Sequence, residues 1–290
     1  MLRAPVLFSL WEATFIGPLV IIGGNEDKTG DGIILERVAE LTRQSPRGAV
    51  LGMVTTASRQ GRQAFQQYQQ LFRRLGVDDV RDLTVQTRDQ ASQDATVQHF
   101  REVATLFFSG GDQLRITSVL GGTRFHHALL EEHRRGLVVA GTSAGASMMS
   151  DTMIVTGDAE EAPTKNTVHM APGMGLWQGA VIDQHFSQRG RIGRLLSALA
   201  QNPGILGVGI DEDTAIEVRL DEQLVTVWGS RTVTLLDGSA VHHTNATESA
   251  ADRPLAIFGV RLHVLPHGYR FDLTERRPME RDRLADSRED

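Results

Sequence analysis

Leu137-Val138-Val139-Ala140-Gly141-Thr142-Ser143-Ala144-Gly145-Ala146 is a short apolar run that ends in a serine among small residues. Four apolar residues in a row, without alternation, suit a strand buried on both faces. Gly141 to Gly145 fits G-x-S-x-G, the pattern of a strand that turns sharply into a helix with serine at the apex. Such a turn is strained and tolerates only small neighbours. Gly141, Ala144, Gly145 and Ala146 meet that demand. A helix starting there, over Ala144 to Ser150, aims its dipole and free N–H groups at the serine hydroxyl. The pattern alone leaves two readings, a nucleophile or a serine that merely caps a helix.

Outward from this turn, apolar runs alternate with amphipathic stretches. Strands are predicted over Pro18 to Ile22, Ala49 to Thr55, Val80 to Val85, Ala104 to Phe108, Ala180 to Ile182 and Leu206 to Ile210. Between them, Ile34, Val38 and Leu41 repeat at helical spacing, as do Phe65, Tyr68, Phe72 and Leu75. Thr123 to Arg135 reads as a further helix, stopped by Gly136. The alternation predicts an α/β fold with a mostly parallel sheet sandwiched by helices. After about residue 214 the runs become β-like without helices between them, from Ala215 to Leu273. These predict antiparallel strands appended to the main sheet. The expected organisation is an N-terminal extension over 1–17, one α/β domain over 18–273, and a charged, disordered tail over 274–290.

Composition narrows the function. The 290 residues are 40% hydrophobic and 23% charged, with a net charge of −6. No basic excess exists to neutralise phosphates, which argues against nucleic acid as a partner. With no cysteine, disulfides, thiolate catalysis and Cys-ligated zinc are excluded. No apolar stretch reaches the length of a membrane span, and the start of the chain lacks the uninterrupted apolar run of a secretory signal. A cytoplasmic protein with no membrane partner is expected. No metal and no cofactor is called for.

A nucleophilic serine needs a base, normally histidine, and a carboxylate to orient it. Of ten histidines, His126, His127 and His133 fall on the amphipathic helix and are expected to be solvated. His185 stands apart, because it follows the apolar strand Ala180-Val181-Ile182 within Asp183-Gln184-His185-Phe186. Arg189, Arg191 and Arg194 come next, where a helix begins. Cations there oppose the helix dipole, so three of them point to an anionic ligand. Asp211, Glu212 and Asp213 follow the strand Leu206 to Ile210, and local physics leaves all three open as the orienting carboxylate. Gly110-Gly111, after Phe107-Phe108, could bring the Gly111 N–H beside that of Ala144 to form an oxyanion hole.

Together with Gly23-Gly24-Asn25-Glu26-Asp27-Lys28, Thr56-Ala57-Ser58, Arg189-Gly190-Arg191 and Gly259 to Leu265, these segments resemble the cyanophycinase family of serine peptidases, which also contains α-aspartyl dipeptidase. The resemblance runs from about Gly23 to Leu273. It implies a fold similar to class I glutamine amidotransferases, with serine in place of their cysteine. It implies a Ser143–His185–Glu212 triad, and a pocket lined by Gln113, Asp183, Gln184, Arg189, Arg191 and Arg194. The implied reaction is hydrolysis, through an acyl-enzyme, of the poly-aspartate backbone of cyanophycin, whose β-carboxyls carry arginine, to β-Asp-Arg dipeptides. The implied assembly is a homodimer. Rival readings are a dipeptidase for other aspartyl peptides on the same scaffold and an inert binding protein that keeps the arginine-rich pocket. Asn25 stands where relatives often carry a smaller residue.

Overall fold

The computed structural model describes residues 15–157 and 162–280. Its main sheet begins with β1 (Leu19–Ile22), β2 (Val50–Val54), β3 (Asp79–Asp82), β4 (Thr105–Phe108) and β5 (Val138–Thr142). β1, β5, β4, β2 and β3 lie side by side in that order, all parallel. The connecting helices are α1 (Ile33–Arg43), α2 (Gly61–Arg74), the short α3 (Arg88–Ala91) and α4 (Asp94–Gln98), α5 (Gln113–Leu120) and α6 (Arg124–His133). Side chains alternate across each strand, so a parallel sheet needs cover on both faces. Here Leu19 and Ile21 of β1 enter one core with α5 and α6, while Val20 and Ile22 enter another with α1 and α2. The apolar spacing on α2 works as expected, with Tyr68 and Phe72 against Phe107.

After β5 the helix α7 (Ala144–Ser147) is a single turn, shorter than the 144–150 expected. A hairpin of β6 (Thr152–Gly157) and β7 (Val168–Pro172) follows. β8 (Ala180–Gln184), α8 (Ile192–Gln201) and β9 (Leu206–Ile210) then depart from the predicted topology. β8 and β9 do not join the main sheet. They form a second, four-stranded sheet with β12 (Thr232–Asp237) and β15 (Arg261–Pro266), in the order β15-β12-β9-β8. Among the described residues β10 (Thr214–Arg219) and β11 (Leu224–Gly229) extend the main sheet antiparallel from β1, continued by β16 (Arg270–Asp272) and β17 (Arg277–Met279). β13 (His243–Thr244) and β14 (Ile257–Phe258) pair as a small ribbon.

The two sheets share one core. Ile182, Val208, Ile210, Val233 and Leu235 of the second sheet pack with Leu19, Ile21 and Val139 of the first. On its other face the second sheet carries α8, through Leu195, Ala198 and Leu199. Strand hydrophobicity is the same for either sheet, so the runs could not say which strand joins which. Two further expectations change. His133 is 3% exposed and lies against the Leu137 carbonyl at 3.2 Å, so it is a core histidine and not a solvated one. Residues 277–279 form β17, so the charged tail is ordered at its start; residues 281–290, like 1–14, lie outside the described residues. Among the described residues no helix is long and apolar enough to cross a membrane.

The β5–α7 turn is as crowded as its sequence requires. A Cβ at Gly145 would sit 2.3 Å from the Phe108 carbonyl oxygen, and one at Gly141 2.4 Å from the Gly145 carbonyl oxygen. Both obstacles are backbone and cannot swing aside. Gly145→Ala should therefore cost about 1–3 kcal/mol, read as a lower urea midpoint with an unchanged m value.

Candidate active site

Ser143 leaves the C-terminal end of β5 with φ 52 and ψ −109, a conformation that non-glycine residues rarely adopt. Six non-glycine residues have positive φ among those described, and four of them are Asn25, Ser143, His185 and Asp213. Each such position costs on the order of 1–3 kcal/mol and persists only where its surroundings enforce it. The surroundings here are the end of β1 and the loop that follows it. Its successive carbonyls take the backbone N–H groups of the three strand ends. Ser143 donates to Ile22 O at 3.0 Å, His185 to Gly23 O at 2.9 Å and Asp213 to Gly24 O at 2.9 Å. The Asn25 amide then donates to Glu212 Oε2 at 3.1 Å. Gly24 is obligatory, because a Cβ there would lie 2.4 Å from the His185 ring.

The loop is itself pinned. Backbone N–H groups of Gly30, Thr29 and Gly32 converge on the Asp27 carboxylate and hold its pKa down to about 2. Beneath the turn, Glu26 is 3% exposed. It accepts from Thr142 Oγ1 at 2.6 Å and from the Tyr68 hydroxyl, and pairs with Lys28 at 3.0 Å. Burial, then the Glu26 charge, push the Tyr68 pKa well above its ordinary value, so Tyr68 is a donor.

Ser143 Oγ lies 3.0 Å from His185 Nε2, and His185 Nδ1 lies 2.7 Å from Glu212 Oε1. The three candidate carboxylates thus separate. Glu212 alone reaches the imidazole. Asp211 is buried and ties the β8 end to β12, accepting from Ser187 N at 3.0 Å and Thr232 Oγ1 at 2.9 Å. Asp213 accepts from Asp27 N at 2.8 Å and Ser230 Oγ at 2.6 Å, so it anchors the loop. Gln188, which the sequence did not single out, accepts from the Glu212 N–H at 2.8 Å. Ala144 opens α7, where the first N–H groups have no intrahelical acceptor. Gly110 lies alongside, its missing Cβ 3.4 Å from Ser143 Cβ, which brings the Gly110-Gly111 turn against the serine.

The expected pocket residues divide. Asp183 is 1% exposed and its carboxylate is already occupied. Arg194 Nε donates to it at 2.6 Å, with a second Arg194 contact, and Arg191 Nη1 lies at 3.3 Å. Arg191 also donates to Gln184 O. This corrects the reading of three arginines awaiting an anion, because two of them have Asp183 as theirs. It also leaves Asp183 without a free carboxylate to offer the expected pocket. Burial, partly offset by Asp183 and reinforced by Arg194 and Arg189, lowers the Arg191 pKa to about 10. Gln113 spends its amide on Ile154 O and Val155 O of β6, at 3.2 and 3.0 Å. Gln184 is buried, and its Oε1 has no hydrogen-bond partner among the described residues. Arg189 is exposed beside the histidine. Among the described residues no group of three or more His, Asp or Glu is arranged to hold a metal ion.

A serine hydroxyl bonded to an imidazole that is bonded in turn to a carboxylate, at the strand ends of an α/β sheet, is the constellation of a serine hydrolase. The chain belongs to peptidase family S51, whose sequence pattern matches residues 19–226. It is 36% identical over 262 residues to a cyanophycinase of Geminocystis herdmanii (strain PCC 6308), covering 90% of this chain and 95% of that one. It is 37% identical over 259 residues to a cyanophycinase of Nostoc sp. (strain PCC 7120), covering 89% and 86%. The fold is similar to the crystal structure of a peptidase from an acI-B1 Actinobacterium, with a TM-score of 0.62 and 23% identity over 78% of this chain and 93% of that one.

Burial lowers the His185 pKa below its ordinary value; the Glu212 hydrogen bond opposes this, and the charges of Arg189 and Arg191 reinforce it. The imidazole is therefore neutral, and able to accept a proton, down to a pH below the usual histidine range. Arg189→Ala should move the His185 titration to higher pH, and Glu212→Gln should move it lower. NMR titration of the His185 ring signals checks both signs.

Proposed function

We propose that this chain is a serine exopeptidase that hydrolyses cyanophycin to β-Asp-Arg dipeptides. The observation that carries the reading is the file of hydrogen bonds from Ser143 through His185 to Glu212, in a chain 36–37% identical to cyanophycinases over about nine-tenths of its length. His185 Nε2 takes the Ser143 proton as Oγ attacks the scissile carbonyl. Glu212 holds the tautomer with the proton on Nδ1 and stabilises the imidazolium that forms. The N–H groups of Ala144 and Gly111 face the developing oxyanion. The imidazolium then protonates the leaving amine. Water, deprotonated by the same imidazole, releases the dipeptide from the acyl-enzyme.

In this reading the polymer's arginyl carboxylates meet Arg189, and Arg191, held by Asp183 behind it, adds positive charge at a distance. The buried Asp183–Arg194 pair shapes the wall and does not itself touch substrate. The enzyme acts in the cytoplasm as a homodimer, which light scattering of the purified protein would test.

Ser143→Ala should abolish dipeptide release from cyanophycin while leaving the urea midpoint near that of the parent. Near-normal turnover in that variant would sink the scheme. His185→Ala should lower kcat by a factor on the order of 10³ or more; a tenfold loss would point to another base. A fluorophosphonate probe should label the parent at Ser143, and an unlabelled parent would instead support an inert binding protein.

A further inference from the structure

The parallel strands β5, β4, β2 and β3 end along one edge of the sheet. Ser143 follows the first, Gly110-Gly111 the second, Thr55 to Gly61 the third and Leu83 to Gln86 the fourth. The contacts along this edge are continuous. Gly110 lies against Ser143, and a Cβ at Gly111 would lie 2.2 Å from Ala57 O and 3.0 Å from Ser58 N. Beyond Ser58 opens a cavity of about 640 Å³ at the ends of β2 and β3. Its walls carry three arginines, Arg59, Arg62 and Arg115, and one carboxylate, Asp82.

These arginines differ from those near His185. Arg191 and Arg194 are answered by Asp183. Among the described residues Arg59 and Arg62 have neither a hydrogen bond nor an ion pair, and Arg115 only donates to Gln86 Oε1 at 2.7 Å. Asp82 Oδ1 accepts from Thr84 N at 3.0 Å. Arg59 and Arg62 also flank the start of α2, whose first turn holds no acidic residue. Positive charge at that end opposes the helix dipole, and among the described residues no carboxylate pairs with either arginine. A carboxylate entering the cavity would meet both the arginines and the dipole favourably.

We propose that this cavity is a second binding site on the same edge, for the carboxylate side groups of a polymer chain whose scissile bond lies at Ser143. The proposal rests on the functional reading above. Strands lie about 4.8 Å apart, so β2 and β3 are roughly 10–15 Å from β5, and an extended polypeptide advances about 3.3 Å per residue. The cavity therefore meets a side group about three to four residues from the cleaved bond. In cyanophycin each side group ends in a carboxylate and a guanidinium. Arg59 and Arg62 bind the first, and Asp82 suits the second. A dipeptide cannot reach this far, so the site favours long chains over short ones.

The test is the double variant Arg59→Gln/Arg62→Gln, assayed on the long polymer and on a fragment of two β-Asp-Arg units. Exposed ion pairs are each worth up to about 1 kcal/mol, so KM for the polymer should rise about three- to tenfold at low salt with kcat unchanged. KM for the fragment should not move, and the polymer effect should shrink at about 0.5 M salt. An unchanged polymer KM, or an equal rise on both substrates, overturns the site. If the parent enzyme releases nothing from cyanophycin, the functional reading itself has failed. The site is then tested by binding poly-L-aspartate to Ser143→Ala protein: weaker binding after adding the two Gln substitutions supports it, and equal binding overturns it.

Discussion

Everything at this site depends on three successive carbonyls. Ile22, Gly23 and Gly24 each accept one backbone N–H, from Ser143, His185 and Asp213 in turn. Ser143 belongs to the main sheet, His185 follows a strand of the second sheet, and Glu212 lies in the link from the second sheet back to the first. A hydrophobic core can bring two sheets together, but it is non-directional and tolerates sliding. Hydrogen bonds to one short loop do not tolerate it. They fix the three strand ends to within the few tenths of an ångström that a proton relay needs. The strain of four positive-φ residues is held by the same bonds. Gly24 leaves room for the imidazole, and Asp27, gathering three backbone N–H groups, keeps the loop from relaxing.

Charge is distributed by a second constraint. Asp183, Arg191 and Arg194 form a nearly fully buried cluster behind the histidine. Removing one member of such a cluster strands the others in a poor dielectric, so its members are bound to one another more than to any ligand. Its surplus positive charge still acts at a distance. With Arg189 it helps keep His185 unprotonated, while Glu212 pulls the other way. The base is thus tuned by desolvation and cations against a single carboxylate.

Much of the fold was legible in the primary structure because its signals are local. Unbroken apolar strands such as Val138–Thr142, and the 3.6-residue spacing on α1 and α2, follow from burial and helix geometry alone. The small residues around Ser143 announced a crowded turn, and the clash distances at Gly141 and Gly145 give the reason. Three expectations failed where the outcome depends on distant partners. β8 and β9 are as apolar as the main-sheet strands, and nothing in them names their neighbour. His133 sits on an amphipathic helix yet faces the core. Residues 277–279 open a charge-dense tail, but β16 offers them an edge to pair with.

For the site, the sequence by itself determined the chemistry on offer: a serine in a strained turn, a histidine at a strand end, three adjacent carboxylates, and no thiol. Only the tertiary structure decided which carboxylate serves. Asp211, Glu212 and Asp213 are equivalent as neighbours in a chain, but backbone direction sends Asp211 into the sheet junction and Asp213 into the β1 loop, leaving Glu212 beside the imidazole. It decided likewise that Asp183 pairs with both Arg191 and Arg194, while among the described residues Arg59 and Arg62 are left unanswered. The reason is the same in each case. Residue type sets what a side chain can bind, but hydrogen bonds and ion pairs act over a few ångströms, and only folding determines which groups come that close.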